Sequence, residues 1–379
     1  MRSLDAARDM CGRFHPGLLA ELEQLTLAER EADDSPVVEI YRAHGGPGLL
    51  VPADYGGAQA SPLQAVRVQR ALGAVSPSLA VATVMHHFTV AMLFSLAETA
   101  ERLTPGQLKM LSAVAGDGLW FASGWAEGRS GQNILAPAVV AERTATGYRV
   151  DGGKKPCSLS RSMDVLTASA AVRDEDGTTS LALLLIPADS PGISVVPFWG
   201  TQVLAASQSH EVRLEGVEVG EELVIRSTPQ HQSRLDDLQT AGFTWFELLT
   251  TAAYTGAASA LVEQAVLRRR GTAADRARLA TALEASVNLL EGTARAVGDG
   301  LGGDEAVAAV LVARYAAQDL LADVVDAAVE MLGGIAFIGS PDIAYLSSAV
   351  RALAFHPPSR ASVAAELADY FAGQPLRLS

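Results

Sequence analysis

Ala126-Glu-Gly-Arg-Ser-Gly-Gln-Asn133 is the stretch that decides the fold, and it is rich in small residues that let a backbone approach another group closely. Three more segments stand around it at wide spacing: Val51-Pro-Ala-Asp-Tyr-Gly-Gly57, Gly153-Lys-Lys-Pro-Cys-Ser-Leu-Ser160 and Glu330-Met-Leu-Gly-Gly334. Each carries the glycine or proline that marks a turn or a helix end. Because one glycine-rich turn alone is a weak signal, the interpretation depends on all four segments together.

The pattern of apolar residues divides the chain into three parts. Residues 1–117 are helical in pattern, with apolar positions three and four apart, as in Leu18, Leu22 and Leu25. Residues 118–232 contain short strand-like runs at the spacing of a small antiparallel barrel or sandwich. Residues 233–379 return to long alanine-rich helices, which predict an antiparallel bundle. The sequence therefore predicts an α+β protein with a β domain between two helical domains.

Composition limits the classes of function. The formal charge of -14 over 379 residues argues against a nucleic-acid-binding surface, which needs clustered Lys and Arg. The two cysteines, Cys11 and Cys157, lie far apart without a metal-binding pattern, so we expect no metal site, no disulfide and a reducing cytoplasm. Polar residues interrupt the apolar stretch 71–97, which indicates buried helices and no membrane span.

The four segments together resemble the signature of the acyl-CoA dehydrogenase family of flavoproteins, over about residues 15–371. The resemblance implies an N-terminal helical domain, a middle β domain and a C-terminal four-helix bundle, with FAD between the last two. It implies that Ser158 donates its hydroxyl near flavin N5, and that a glycine pair contacts the pyrophosphate of a neighbouring subunit's cofactor. The cofactor-binding residues expected on this basis are Trp125, Ala126, Gly131, Gln132, Ser158, Gly333 and Gly334.

The chain departs from the family pattern at several of these positions. Ala126 and Gln132 stand where the family has threonine and serine, which removes two hydroxyl donors and leaves the backbone donors. The arginine that reaches the FAD pyrophosphate has no counterpart. Arg268-Arg-Arg270 lies nearby in sequence and is either a substitute phosphate ligand or a solvated helix end.

The largest departure concerns the catalytic base. The family reaction uses a glutamate, but the corresponding segment reads Ala354-Phe-His-Pro-Pro358 and contains no acid. His356 takes the position of the glutamate in one of two registers, and it is otherwise part of a simple helix stop. Glu247 lies close to the position where some family members carry a relocated base, and it is otherwise a solvated helix residue. Glu247 and His356 are therefore the two candidate catalytic residues.

Three further residues are candidates for substrate binding. Trp245 and Tyr254 flank Glu247 on the same predicted helix and would form an apolar wall that raises the pKa of a buried acid. His87 lies in a helix that borders the acyl pocket in the family, although a buried structural histidine is the more common finding.

The resemblance implies a homodimer or homotetramer that uses FAD to desaturate an acyl thioester, carried on CoA or on an acyl carrier protein, and that passes the electrons to an electron-transfer partner or to oxygen. Two alternatives remain open. Relatives on this scaffold that lack the glutamate are monooxygenases, which use reduced flavin with oxygen. The lost catalytic residues also suit an inactive partner subunit that keeps only the fold.

Overall fold

The computed structural model describes residues 1–100, 103–129, 137–173, 179–226, 237–376 and 378. In its N-terminal part, the helices Pro62–Val75 (α5) and Pro105–Gly116 (α7) begin with capping boxes, in which Ser61 and Thr104 each accept a hydrogen bond from the amide three residues on. A proline follows each cap at the first helical position, where no amide donor is needed. The helices of this part are Arg2–Phe14 (α1), Leu18–Leu22 (α2), Leu27–Glu31 (α3), Val37–Ala43 (α4), Pro62–Val75 (α5), Pro77–Ala100 (α6) and Pro105–Gly116 (α7).

Helix α6 is the apolar stretch that the sequence singles out. Over Pro77–Ala97 it is long and apolar enough to cross a membrane by length and composition alone. However, 83% of its most apolar window is buried inside the protein. This burial agrees with the interpretation of α6 as a core helix.

The middle part is one sheet. Its strands are Phe121–Gly124 (β1), Val140–Arg143 (β2), Gly147–Cys157 (β3), Val165–Arg173 (β4), Thr179–Pro187 (β5), Ile193–Val196 (β6), His210–Gly220 (β7) and Val224–Arg226 (β8). The strand order is β6-β7-β3-β2-β4-β5-β8, and β1 pairs with β4 beside this path. β1 and β2 both run parallel to β4, so the expected antiparallel arrangement is corrected to a mixed sheet. The Asp164 carboxylate accepts a hydrogen bond from the Trp120 amide at 2.7 Å, which aligns the starts of β1 and β4.

The C-terminal part is helical. Its helices are Asp237–Leu267 (α8), Ala273–Gly298 (α9), Gly303–Leu332 (α10), Gly334–Gly339 (α11), Pro341–Arg351 (α12) and Ala364–Phe371 (α13). The four main helices, α8, α9, α10 and α12, pack against one another as a bundle, as predicted. The predicted α+β architecture is confirmed.

Two glycines bring α8 unusually close to α5. A Cβ at Gly256 would lie 2.2 Å from the Arg70 carbonyl oxygen, and a Cβ at Gly73 would lie 2.0 Å from the Ala253 carbonyl oxygen. Neither position therefore has room for a side chain. This close contact fixes the middle of α8, which carries the candidate residues 245–254, against the N-terminal domain.

Candidate active site

Three of the predicted flavin-binding residues lie together at neighbouring strand ends. Trp125 and Ala126 directly follow β1, and Ser158 directly follows β3. The Lys155 amide donates to the Ala126 carbonyl at 2.8 Å, so the two segments run side by side. Gly131 and Gln132 lie outside the described residues.

Glu127 holds this region in place through a buried ion pair. Its carboxylate accepts a hydrogen bond from Lys154 Nζ at 2.8 Å, and both side chains are buried. It also accepts from the backbone amides of Ala138 and Val139 at 2.9 and 3.1 Å. Glu127 belongs to the quoted stretch 126–133. The structure shows that its carboxylate links residue 127 to residues 138 and 139.

Ser158 begins a chain of three buried hydroxyl groups. Its Oγ lies 2.9 Å from Ser209 Oγ, which lies 2.7 Å from Ser207 Oγ. Ser207 donates to the carbonyl oxygen of Leu204 at 2.7 Å. Sequence reasoning missed Ser207 and Ser209, and the serine-rich run Ala206-Ser-Gln-Ser209 was the signal that could have found them.

The backbone around this hydroxyl chain is strained. Leu159, Leu204 and Gln208 have φ values of 62°, 62° and 54°, in the left-handed region that residues with a Cβ rarely adopt. Each costs of the order of 1 kcal/mol or more, and such residues cluster at functional sites. The amide of Leu159 donates to the Ser207 carbonyl at 3.1 Å, which links the two strained segments. The strain therefore supports a functional role for the surroundings of Ser158.

The two candidate catalytic residues lie in a second cluster, where Arg314 connects them. Arg314 Nη1 donates to both carboxylate oxygens of Glu247, at 2.8 and 3.0 Å, and both side chains have no exposed surface. Arg314 also donates to the backbone carbonyls of His356 and Pro357. Burial raises the pKa of Glu247 to about 7, and the Arg314 guanidinium opposes the rise. Glu247 is therefore not solvated.

His356 has an aromatic environment. Its Nε2 lies 2.7 Å from the Tyr254 hydroxyl, and its ring packs edge-on against Phe246, with ring centroids 5.8 Å apart. Phe246 packs in the same manner against Phe88 of α6 at 5.5 Å. Burial and the nearby Arg314 charge lower the pKa of His356 to about 3, so the imidazole is neutral at physiological pH. Three elements, α6, α8 and the segment after α12, thus build one aromatic wall.

The remaining candidates have different surroundings. Trp245 is partly buried and packs against the main hydrophobic core. His87 is fully buried and its Nε2 lies 3.3 Å from the Tyr41 hydroxyl, within an aromatic cluster of the N-terminal domain. Gly333 ends α10 with a φ of 84°, and Gly334 is exposed at the start of α11. A Cβ at either glycine would meet nothing within 4 Å in this chain, and their contact with a neighbouring subunit's cofactor stays a prediction.

Polar atoms without partners support a flavin at the strand-end site. Trp125 Nε1 and Gln208 Oε1 are buried and have no hydrogen-bond partner among the residues that the structure describes. Leaving such groups unpaired costs about 1–3 kcal/mol each, which a ligand offering an acceptor and a donor would recover. The flavin ring offers both along one edge. The residues present therefore fit a flavin. Among the residues that the structure describes, no three His, Cys, Asp or Glu side chains come together as a metal site.

Comparison with known proteins identifies the class. A model of the acyl-CoA dehydrogenase N-terminal domain matches residues 4–105. Isobutylamine N-hydroxylase of Streptomyces viridifaciens is 61% identical over 378 residues, with 100% of both chains covered. The chain therefore belongs to the acyl-CoA dehydrogenase-like flavoprotein family, and it is a flavin oxidoreductase.

Solved structures show the same fold with different flavins. FMN-bound TdsC from Paenibacillus sp. A11-2 has a TM-score of 0.80 at 19% identity, with 100% of this chain and 99% of that chain covered. XiaF from a Streptomyces species, solved with FADH2 and glycerol, has a TM-score of 0.79 at 21% identity, with 99% and 98% covered. FMN and FADH2 are the flavins of those proteins, and the expectation of FAD for this chain stays a prediction. The relatives favour the monooxygenase alternative over acyl thioester desaturation.

Proposed function

We propose that this protein is a flavin-dependent monooxygenase that transfers one oxygen atom of O2 to the nitrogen of a small aliphatic primary amine. The 61% identity to isobutylamine N-hydroxylase over the whole length carries this proposal. The absence of an acid from the segment 354–358 supports it, because amine oxidation does not need the carbon-bound proton abstraction of desaturation. When bound, reduced flavin supplies the electrons that activate O2.

The aromatic wall suits an uncharged amine. Phe88, Phe246 and Tyr254 create an environment in which a charged ammonium loses hydration, and burial of this kind lowers the pKa of an amine. The amine nitrogen needs its lone pair to receive oxygen, so this environment favours the reactive form. Neutral His356, hydrogen-bonded to Tyr254, is the polar group that orients the nitrogen.

Glu247 has a positioning role in this proposal. Its carboxylate fixes Arg314, and Arg314 in turn holds the backbone carbonyls of His356 and Pro357. The ion pair therefore sets where the imidazole lies. At the other site, Trp125, Ala126 and Ser158 would bind the flavin ring.

The test is a product assay. Purified protein receives flavin that a separate reductase keeps reduced, together with air and isobutylamine, and products are measured by mass spectrometry. We expect the N-hydroxylamine, with loss of most turnover in His356→Ala and a smaller loss in Tyr254→Phe. Isobutyryl-CoA under anaerobic conditions serves as the comparison substrate. Bleaching of oxidised flavin by the thioester, with no hydroxylamine from the amine, would overturn the proposal in favour of desaturation.

A further inference from the structure

The hydroxyl chain that begins at Ser158 has a direction, because each serine has one proton to donate. The carbonyl of Leu204 can only accept, so the bond from Ser207 uses the proton of Ser207. Ser209 must then donate to Ser207, and Ser158 must donate to Ser209, across the distances of 2.7 and 2.9 Å. In this arrangement the hydroxyl proton of Ser158 is already donated to Ser209. Ser158 Oγ presents only lone pairs to a group outside the chain.

Leu204, whose carbonyl accepts the last hydrogen bond of the hydroxyl chain, is held in place by residues from the other two parts of the protein. The amide of Leu204 donates to the Tyr345 hydroxyl at 2.9 Å, and Tyr345 donates to the buried carboxylate of Glu31. Glu31 accepts as well from the Ser78 amide at 3.0 Å. Leu204, in the middle domain, is therefore held by α12 and by the N-terminal helices. These contacts restrict the movement of the Leu204 carbonyl, which sets the direction of the hydrogen bonds between the three serines.

We propose that the serines 158, 209 and 207 form a selectivity device that makes the protein bind reduced flavin more tightly than oxidised flavin. This inference rests on the proposed function, which puts the flavin ring beside Ser158. It keeps the expected position of N5 near Ser158 and reverses the expected direction of the hydrogen bond. Reduced flavin carries a hydrogen on N5 and needs an acceptor, which Ser158 provides. Oxidised flavin has a bare N5 and needs a donor. Ser158 can donate to it only at the cost of one hydrogen bond, either its own bond to Ser209 or, if the whole chain reverses, the bond from Ser207 to Leu204.

The experiment measures two dissociation constants under anaerobic conditions, without amine or oxygen. FMN is titrated in its oxidised form and in its dithionite-reduced form, and the ratio of the two constants is compared among variants. One hydrogen bond corresponds to a change in this ratio of about fivefold to tenfold. We expect wild type to favour reduced FMN. Ser209→Ala and Ser207→Ala should each lower the preference by about that factor, because each frees the proton of Ser158 for oxidised flavin.

Ser160→Ala is the matched control. Ser160 donates to the Gln208 carbonyl in the same buried region, but it is not part of the hydroxyl chain. We expect its ratio to equal that of wild type. A substitution that only disturbs the structure of the site weakens the binding of oxidised and reduced FMN equally and leaves the ratio of the two dissociation constants unchanged. The ratio therefore distinguishes the proposed role from a structural one.

Two results would overturn the inference. The first is an unchanged ratio in both Ser209→Ala and Ser207→Ala while both proteins still bind FMN. The second is unchanged affinity for both forms in Ser158→Ala, which would show that Ser158 is not at the flavin. Amine hydroxylation is measured separately, so its presence or absence does not decide this question.

Discussion

The Arg314 guanidinium lies 2.8 Å from the Glu247 carboxylate, and neither side chain has any exposed surface. Removing one member of such a pair leaves the other buried without its hydrogen-bonding partner and costs about 3–5 kcal/mol. We therefore expect Arg314→Met to lower the free energy of unfolding by about that amount and to impair amine turnover, because the backbone of His356 loses its anchor. Urea unfolding followed by circular dichroism measures the loss.

Arg351→Met is the control for this substitution. Arg351 pairs with Asp326 at the surface, where about half of each side chain or more is exposed. Exposed pairs contribute about 0–1 kcal/mol, so stability should change little. Equal losses in the two variants would contradict the assignment of Arg314 as a structural anchor.

The pKa of Glu247 predicts a pH dependence of stability. Burial raises this pKa from 4.5 to about 7 in the folded state, so between these pH values the folded protein binds more protons than the unfolded chain. Glu247 therefore lowers stability as pH rises from about 4.5 to about 7, by about 3 kcal/mol in total. Glu247→Gln removes the titration. The difference in unfolding free energy between the two proteins, measured from pH 4.5 to pH 8, should change across that window, and a constant difference would refute the assignment.

Two adjacent lysines offer a second matched test. Lys154 is fully buried against Glu127, whereas Lys155 is 31% exposed and pairs with Glu211. We expect Lys154→Met to lower the free energy of unfolding by about 3 kcal/mol, because the buried Glu127 carboxylate loses its partner. Flavin binding should also weaken, because Glu127 is next to the expected flavin-binding residue Ala126. Lys155→Met should change stability by about 1 kcal/mol or less. A larger loss in Lys155→Met than in Lys154→Met would contradict this account.

Helix α11 predicts a contact between subunits. Ile335 and Ile338 are 87% and 83% exposed, and they lie on the helix that begins at the glycine pair that we expect to approach a neighbouring subunit. Exposed apolar residues grouped in this way often mark an interface. The double substitution Ile335→Asp, Ile338→Asp should reduce the molar mass measured by light scattering to that of a monomer. Phe371→Asp, which alters an exposed residue elsewhere, should leave the mass unchanged, and a double variant that keeps the wild-type mass would exclude α11 from the interface.

The sequence predicted the fold and the strand-end part of the candidate site because those features depend on local patterns. The periodicity of apolar residues predicted the helical and strand-rich parts. The motifs around Ala126 and Ser158 predicted the strand ends that the structure brings side by side. The parallel pairing of β1 with β4 was missed, since strand partners depend on contacts that no local pattern encodes.

The remaining parts of the site depend on partners that are distant in the chain. Glu247 is 67 residues from Arg314, and Ser158 is 51 residues from Ser209. The sequence around Glu247 does not indicate that a buried arginine contacts it. From sequence, Glu247 was therefore interpreted either as a solvated helix residue or as a catalytic base. The preference for desaturation came from the family likeness, whereas the missing acid in the segment 354–358 suited both alternatives, a monooxygenase and an inactive partner subunit. Fold alone does not determine the reaction.

The central claim is that the protein transfers oxygen from O2 to an amine nitrogen. The most direct test supplies ¹⁸O2, reduced flavin and isobutylamine, and measures the mass of the product. The account predicts an N-hydroxylamine that carries one ¹⁸O atom, with no label when ¹⁸O is supplied as water. An unlabelled product, or consumption of reduced flavin without any oxygenated amine across a panel of small primary amines, would contradict it.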